Sequence, residues 1–445
     1  MPKNWVNRYA RLAKVISARW RQRAIFLFGG IVIGAAAVAL ALSADWAQAA
    51  FADLLAKWRY ASLIVTPIGF ALSVFLTTRF FPNSQGSGIP QAIAARQLDD
   101  QEARGSLVSM RIAVGKILLT LLGLLCGASA GREGPTVQVG ASIMFVIGRM
   151  SPRRQPGLIL AGAAAGIAAA FNTPLAGIVF GIEEMSQAFE VRTSGLIIGA
   201  VIAAGLTSLA LVGNYTYFGT TATMLHPGFD WLAVPLCGVC GGLAGGAFSR
   251  GVIVMARGLP GSLGRAVKSY PLSFAVACGF GMALCGLASG DMVYGTGYAQ
   301  VKAALENGAP LPWDFGILKF AATLISAVSG IPGGIFSPSL AVGAGLGVNI
   351  AHLFPQAPIN AIILLGMVSY FTGVVQAPIT AFVIVTEMTE NHTMVIPLMT
   401  ASLIAYAASR LVCPEGIYHA LSKGFLSQEV SLKEPTREAP SLKDE

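Results

Sequence analysis

One eleven-residue pattern occurs twice in the chain and constrains its fold more than any other feature. Gly131-Arg132-Glu133-Gly134-Pro135-Thr136 runs on to Val139-Gly140-Ala141, and Gly334-Ile335-Phe336-Ser337-Pro338-Ser339 runs on to Val342-Gly343-Ala344. Both satisfy Gly-x-x-x-Pro-[Ser/Thr]-x-x-Val-Gly-Ala. A second matched pair follows: Pro174-Leu175 with Val179 and Glu183, and Pro378-Ile379 with Val383 and Glu387. Pro135 and Pro174 are 39 residues apart, and Pro338 and Pro378 are 40 apart. Two motifs in the same order at matching spacing identify a duplicated unit.

The unit lies in a membrane. Only 11% of the 445 residues are charged and 54% are hydrophobic, whereas a soluble chain carries about a quarter charged residues. The charges gather at the ends: seven of the thirty Lys and Arg lie between Lys3 and Arg23, and five of the twenty-one acids lie beyond Ser427. The net charge of +9 therefore reads as a positive-inside signal and not as a nucleic-acid surface. Ala24 to Ala44 is too long for a secretory h-region of about 7–15 residues and suits a span.

Residues 1–23 are expected to form a basic amphipathic cytoplasmic helix, because Trp5, Tyr9, Leu12, Ile16 and Trp20 recur at helical spacing among arginines. Further apolar stretches are expected at about 61–79, 108–130, 156–182, 195–213, 231–256, 272–288, 315–330, 335–354, 359–386 and 395–412. The expected organisation is one all-α polytopic membrane domain, 24–427, with repeat halves at about 24–213 and 228–427. A disordered cytoplasmic tail, 428–445, is expected to follow. With 52 Gly and 23 Pro, many membrane helices must be broken. Lipid tolerates this only where the freed backbone is buried in protein or lines a watery path. Duplicated membrane units with discontinuous helices are commonly transporters, with the site where the halves meet.

Gly131-Arg132-Glu133-Gly134-Pro135 offers glycines for close backbone approach and a proline suited to a first helical turn, so its free N–H groups favour an anion. Gly334 to Pro338 makes a second such start, and Gly86-Ser87-Gly88-Ile89-Pro90 a third, with a hydroxyl donor. None is followed by the Lys-Ser/Thr of a phosphate loop, so a small dehydrated anion is the expected ligand. No cofactor or metal is expected: six scattered cysteines, including the lone Cys237/Cys240 pair, and four isolated histidines make no ligand set.

Glu133 lies inside one of these turns. An ionised carboxylate there competes with an anion for the same amides, and a protonated one does not, which makes a gate coupled to pH. Glu183 and Glu184 end a long apolar helix and point about 100° apart, so they need different partners. Glu183 matches Glu387 in the repeat, which suggests a shared structural role. Glu184 faces Met388 in that alignment and is the better functional candidate.

The three Gly/Pro motifs, with Asn172-Thr173-Pro174-Leu175-Ala176-Gly177 and Glu387-Met388-Thr389, resemble the signature of the CLC chloride channel and transporter family over about 24–425. The resemblance implies a CLC-like fold of two inverted-topology repeats of tilted and broken helices. It also implies a homodimer with one pore per subunit. It makes Ser87, Gly88, Ile335, Phe336 and Tyr418 the chloride-binding residues, the last from Gly416-Ile417-Tyr418. Glu133 becomes the gate, Glu184 the internal proton-transfer residue, and Gly131, Arg132, Gly134 and Pro135 the support of the anion motif. Ser87 resembles the chloride-preferring version of the family. Gln91 stands where many relatives carry Glu.

Chloride and protons are thus the expected partners, in electrogenic antiport, with a passive chloride channel of the same fold as the alternative. An enzyme is not expected. A hydrolase using Ser87 as nucleophile has no His at a suggestive spacing and leaves the repeat unexplained. Without the paired nucleotide-binding modules of eukaryotic relatives, a multi-pass protein of the bacterial inner membrane with cytoplasmic termini is expected.

Overall fold

A computed structural model describes residues 4–186, 191–226 and 228–433, with the side chains of 4–22, 191–194, 263 and 428–433 left out. The first half contains α1 (Asn4–Lys57), α2 (Ser62–Phe80), α3 (Ile89–Gln97), α4 (Gln101–Leu107), α5 (Met110–Leu125), α6 (Glu133–Gly148), α7 (Gln155–Phe171), α8 (Pro174–Phe180) and α9 (Val191–Val212). The second contains α10 (Ala233–Arg257), α11 (Gly261–Ser269), α12 (Pro271–Ala288), α13 (Tyr298–Asn307), α14 (Phe315–Val328), α15 (Phe336–Ala351), α16 (Ile359–Val375), α17 (Pro378–Thr389), α18 (Val395–Val412) and α19 (Ile417–Lys433). Among the described residues, seven helices are long and apolar enough to cross a membrane.

The duplication is visible atom by atom. Gly131 and Gly334, equivalent positions of the repeat, exchange backbone hydrogen bonds of 2.7 Å in both directions. Asn172 and Gln376 end α7 and α16 in the left-handed conformation at φ 56° and 58°, and their side-chain amides donate to the carbonyls of Tyr215 and Cys413. Glu387, near the end of α17, accepts from the first amides of α8, and Glu183 beyond α8 accepts from those of α17. Each helix start is met by the other's end, so α8 and α17 run antiparallel. Equivalent helices of the two halves therefore point in opposite directions across the membrane, which is an inverted repeat.

Three expectations are corrected in detail. The first span does not stop at Ala44: α1 is continuous from Asn4 to Lys57, with no break at residue 23, because no Gly or Pro interrupts Asp45–Lys57. The stretches 156–182 and 359–386 are each two helices, broken before Pro174 and Pro378 where the preceding residue is forced out of the helical region. Helix α6 was absent from the expected apolar stretches. Its Gln138 and Ser142 dilute the hydropathy, yet nearly every residue in it is buried, so it packs against protein and needs no lipid-facing stripe. Residues 428–433 continue α19, and 434–445 lie outside the described residues.

Candidate ion-binding site

Four helices begin in one place. Helices α3, α6, α15 and α19 start at Ile89, Glu133, Phe336 and Ile417, and the first amides of each have no intrahelical acceptor. A web of contacts shows their convergence. Gly134 is pressed against the Ser87 hydroxyl, and a Cβ there would collide with it and approach Gly334 Cα to 3.3 Å. The Phe336 and Tyr418 rings stack at 6.1 Å. Gly86 is clamped between Ile331 and Gly333 by backbone hydrogen bonds of 3.1 and 3.0 Å. Gly88 then caps α3 at φ 98° against Gln138, a left-handed conformation that favours glycine.

The polar groups at this convergence are partly unpaired. Ser87 is 8% exposed and Tyr418 fully buried; their hydroxyls are close enough to interact, yet among the described residues neither makes a hydrogen bond of good geometry. Buried hydroxyls without partners are costly, and two facing one spot provide donors for an anion. Beneath Ser87, the buried Lys116 Nζ donates to the carbonyls of Gly86 at 2.8 Å and Gln85 at 3.4 Å. Lys319, its repeat counterpart, donates to Val293 and Gly295 at 2.8 Å each. Among the described residues neither lysine is paired with a carboxylate, and the hydrogen bonds of both go to backbone carbonyls.

Glu133 is fully buried. Its Oε1 accepts from Ser337 Oγ at 2.6 Å and from the Tyr217 hydroxyl at 3.4 Å, and its Oε2 has no partner. Arg132, next to it, turns away and donates through Nη1 to Asp45 and to the Ala41 carbonyl at 2.7 Å each. It thereby ties the start of α6 to α1. Pro135 occupies the first turn of α6, where its missing N–H costs no helical bond. Ile335 caps α15 beside Phe336, and both are buried. Gln91 donates to the carbonyls of Gln85 and Asn83 at 2.7 and 3.2 Å, two bonds that an ionised Glu could not donate.

The adjacent glutamates diverge as their spacing requires. Glu183 is the cap on α17, while Glu184, 4% exposed, sits in a π-helical turn, Gly181–Ser186. Its Oε1 has no hydrogen bond and lies 3.8 Å from His419 Nε2, which in turn is 2.8 Å from the Glu184 carbonyl oxygen. His419 is thus not isolated, contrary to the sequence expectation.

Two cavities approach the buried layer from opposite sides. One, of about 310 Å³, reaches Ser87 past Gln91, Val252, Leu421 and Phe425. The other, of about 720 Å³, is lined by Asp45, Gln48, Arg59 and Tyr298, and Tyr298 packs on Tyr217 at 4.6 Å. Arg23 shares a groove with Arg153 and Arg154, and Asp45, 22 residues further along α1 than Arg23, lies about 33 Å away at 1.5 Å per residue. Arg104 bonds Gln155 beside those arginines, and Arg96 bonds Met185 next to Glu184. The first cavity and Glu184 therefore belong to the arginine-rich side, and the second to the far side.

The predicted residues Ser87, Gly88, Glu133, Gly134, Ile335, Phe336 and Tyr418 come together here, and Glu184 approaches from the arginine-rich side. Sequence reasoning missed Lys116 and Lys319, although both stand 15 residues before the repeated glycine. Ser337 lay in a quoted motif without being singled out. Tyr217, between the halves, carries no sequence signal of its own.

Comparison with known proteins agrees with this geometry. The profile of the voltage gated chloride channel family matches residues 69–410. An H(+)/Cl(-) exchange transporter ClcA of Yersinia pseudotuberculosis is 32% identical, with 90% of this chain and 87% of that protein aligned. The ClcA of Klebsiella pneumoniae is 30% identical over 92% and 90%. The fold is similar to the crystal structure of a slow cyanobacterial Cl-/H+ antiporter, with a TM-score of 0.76 and 24% identity over 92% of this chain and 99% of that one. The repeated helix starts, the buried acid between them and these similarities place the chain in the voltage gated chloride channel family.

Proposed function

We propose that the protein is an electrogenic antiporter that moves chloride across a bacterial inner membrane in exchange for protons. The observation that carries this reading is the Glu133 carboxyl group itself, buried among helix starts whose amides and hydroxyls suit an anion. Chloride binds between the Ser87 and Tyr418 hydroxyls and the first amides of α15, at Ile335 and Phe336. Gly88, Gly131, Gly134 and Pro135 allow the backbones to close on it, and Arg132 anchors the start of α6. Protonation of Glu133 releases the carboxyl from its competition for these donors and opens the path to the far-side cavity. Glu184 exchanges protons with the arginine-rich side, so proton and chloride share the passage at Glu133 and separate beyond it. Similarity to ClcA exchangers supports the same reading.

The positive-inside rule makes the side bearing Arg23, Arg96, Arg104, Arg153 and Arg154 cytoplasmic, and with it both termini. A homodimer with one pore per subunit follows from the family resemblance. Because chloride inward and proton outward move charge in the same sense, transport responds to voltage. The test is the zero-current voltage of the protein in planar bilayers at fixed chloride. An antiporter shifts it when one chamber is acidified, whereas a passive chloride channel leaves it at the chloride equilibrium value.

A further inference from the structure

We propose that Ser337 and Tyr217 form a two-hydroxyl latch that holds the Glu133 carboxylate in the anion site against displacement by chloride. The proposal rests on the reading of Glu133 as the gate and adds what sets how readily that gate leaves.

The geometry is one-sided. Glu133 Oε1 takes Ser337 Oγ at 2.6 Å and Tyr217 O–H at 3.4 Å, the two hydroxyl oxygens lie 3.3 Å apart, and Oε2 is bonded to nothing. Both hydroxyls come from outside α6, Ser337 from the first turn of α15 and Tyr217 from the segment joining the halves. The latch therefore stays in place when the side chain swings out. Tyr217 is rigidly seated: Phe171 and Phe218 meet its ring edge-on at 5.3 and 5.0 Å, Tyr298 packs at 4.6 Å, and the Phe218 amide donates to the Met388 carbonyl at 2.9 Å.

The hydroxyls discriminate between the two anions that compete here. A separation of 2.6 Å is short for an O–H···O bond, and such a bond is strongest when the acceptor is an ionised carboxylate. Chloride is larger and its charge more diffuse, so its bonds to the same hydroxyls are longer and weaker. The pair thus favours the carboxylate, and Ser337 and Tyr217 are positioning residues that act through Glu133 and slow the exchange of one anion for the other.

The test uses the full chain in liposomes. Ser337→Ala should raise chloride turnover at low chloride by roughly three- to tenfold and lower the half-saturating chloride concentration. Tyr217→Phe should give a smaller rise, in keeping with its longer bond, and Ser337→Thr should return turnover to the wild-type value. In a Glu133→Ala background the Ser337→Ala change should produce no rise. Damage to the fold lowers turnover, so a rise that Thr reverses is a readout that a structural role does not give. Unchanged or reduced turnover in Ser337→Ala protein that elutes as wild type overturns the latch, as does an equal rise without Glu133. Full proton coupling in Glu133→Ala alone overturns the gate assignment instead, in a separate arm.

Discussion

Glu183 and Glu387 cap each other's helices: Glu183 accepts from the Ile379 and Thr380 amides at 3.0 and 2.6 Å, and Glu387 accepts from Leu175 and Ala176 at 3.0 and 2.7 Å. This reciprocity locks the two halves along their two-fold relation. Replacing either carboxylate by Gln leaves helix-start amides with a poorer acceptor and should cost about 1–2 kcal/mol of stability. Thermal unfolding in detergent should show a lowered midpoint for Glu183→Gln and for Glu387→Gln, with the ratio of protons to chloride unchanged in the folded protein.

The proposed function makes Glu133 the point where the two substrates meet. Glu133→Gln cannot ionise, so proton coupling should fall to background while chloride still passes. Paired pH and chloride electrodes on one vesicle suspension check this. Chloride-driven proton movement persisting in the variant removes Glu133 from the gate.

Glu184 lies beside His419 on the arginine-rich side, and the proposed function gives it the proton and not the chloride. Glu184→Gln should therefore abolish proton movement and leave the chloride site intact, so that chloride binding measured by calorimetry stays within about twofold, the size of an indirect effect of a few tenths of a kcal/mol. Wild-type coupling in Glu184→Gln makes it a structural acid.

Among the described residues the Ser87 and Tyr418 hydroxyls have no well-formed hydrogen bond to lose. Ser87→Ala and Tyr418→Phe should each weaken chloride binding about three- to tenfold, the equivalent of roughly 0.7–1.4 kcal/mol for one hydroxyl donor. Stability should not fall, because each substitution removes a buried hydroxyl that has no partner and is costly to the fold. Calorimetric titration with chloride separates this from Glu184→Gln, where binding is retained.

Much of this was legible in the sequence because the duplication preserved motifs at matched spacing. Glu183 and Glu387 could be paired, and set apart from Glu184, from their positions after Pro174 and Pro378 alone. Direction was not legible: nothing in the two copies states that α8 and α17 run antiparallel, since orientation in the membrane depends on the number of spans between them. Hydropathy failed at α6, where Gln138 donates to the Leu107 carbonyl at 2.9 Å inside the protein and burial against neighbours replaces a lipid-facing surface. Tyr217 was invisible because it reaches Glu133 across 84 residues from a loop segment outside the repeated motifs. Lys116 and Lys319 were legible in principle, as a matched pair of cations in apolar stretches.

The central claim is that this chain couples chloride to protons through one path. Purified protein in liposomes, given a chloride gradient at equal pH with a potassium ionophore fixing the voltage, tests it directly. The account predicts that protons move uphill, driven by the chloride gradient, so that external pH changes and the change collapses on adding a protonophore. Chloride flux without any proton movement contradicts it and makes the protein a passive channel.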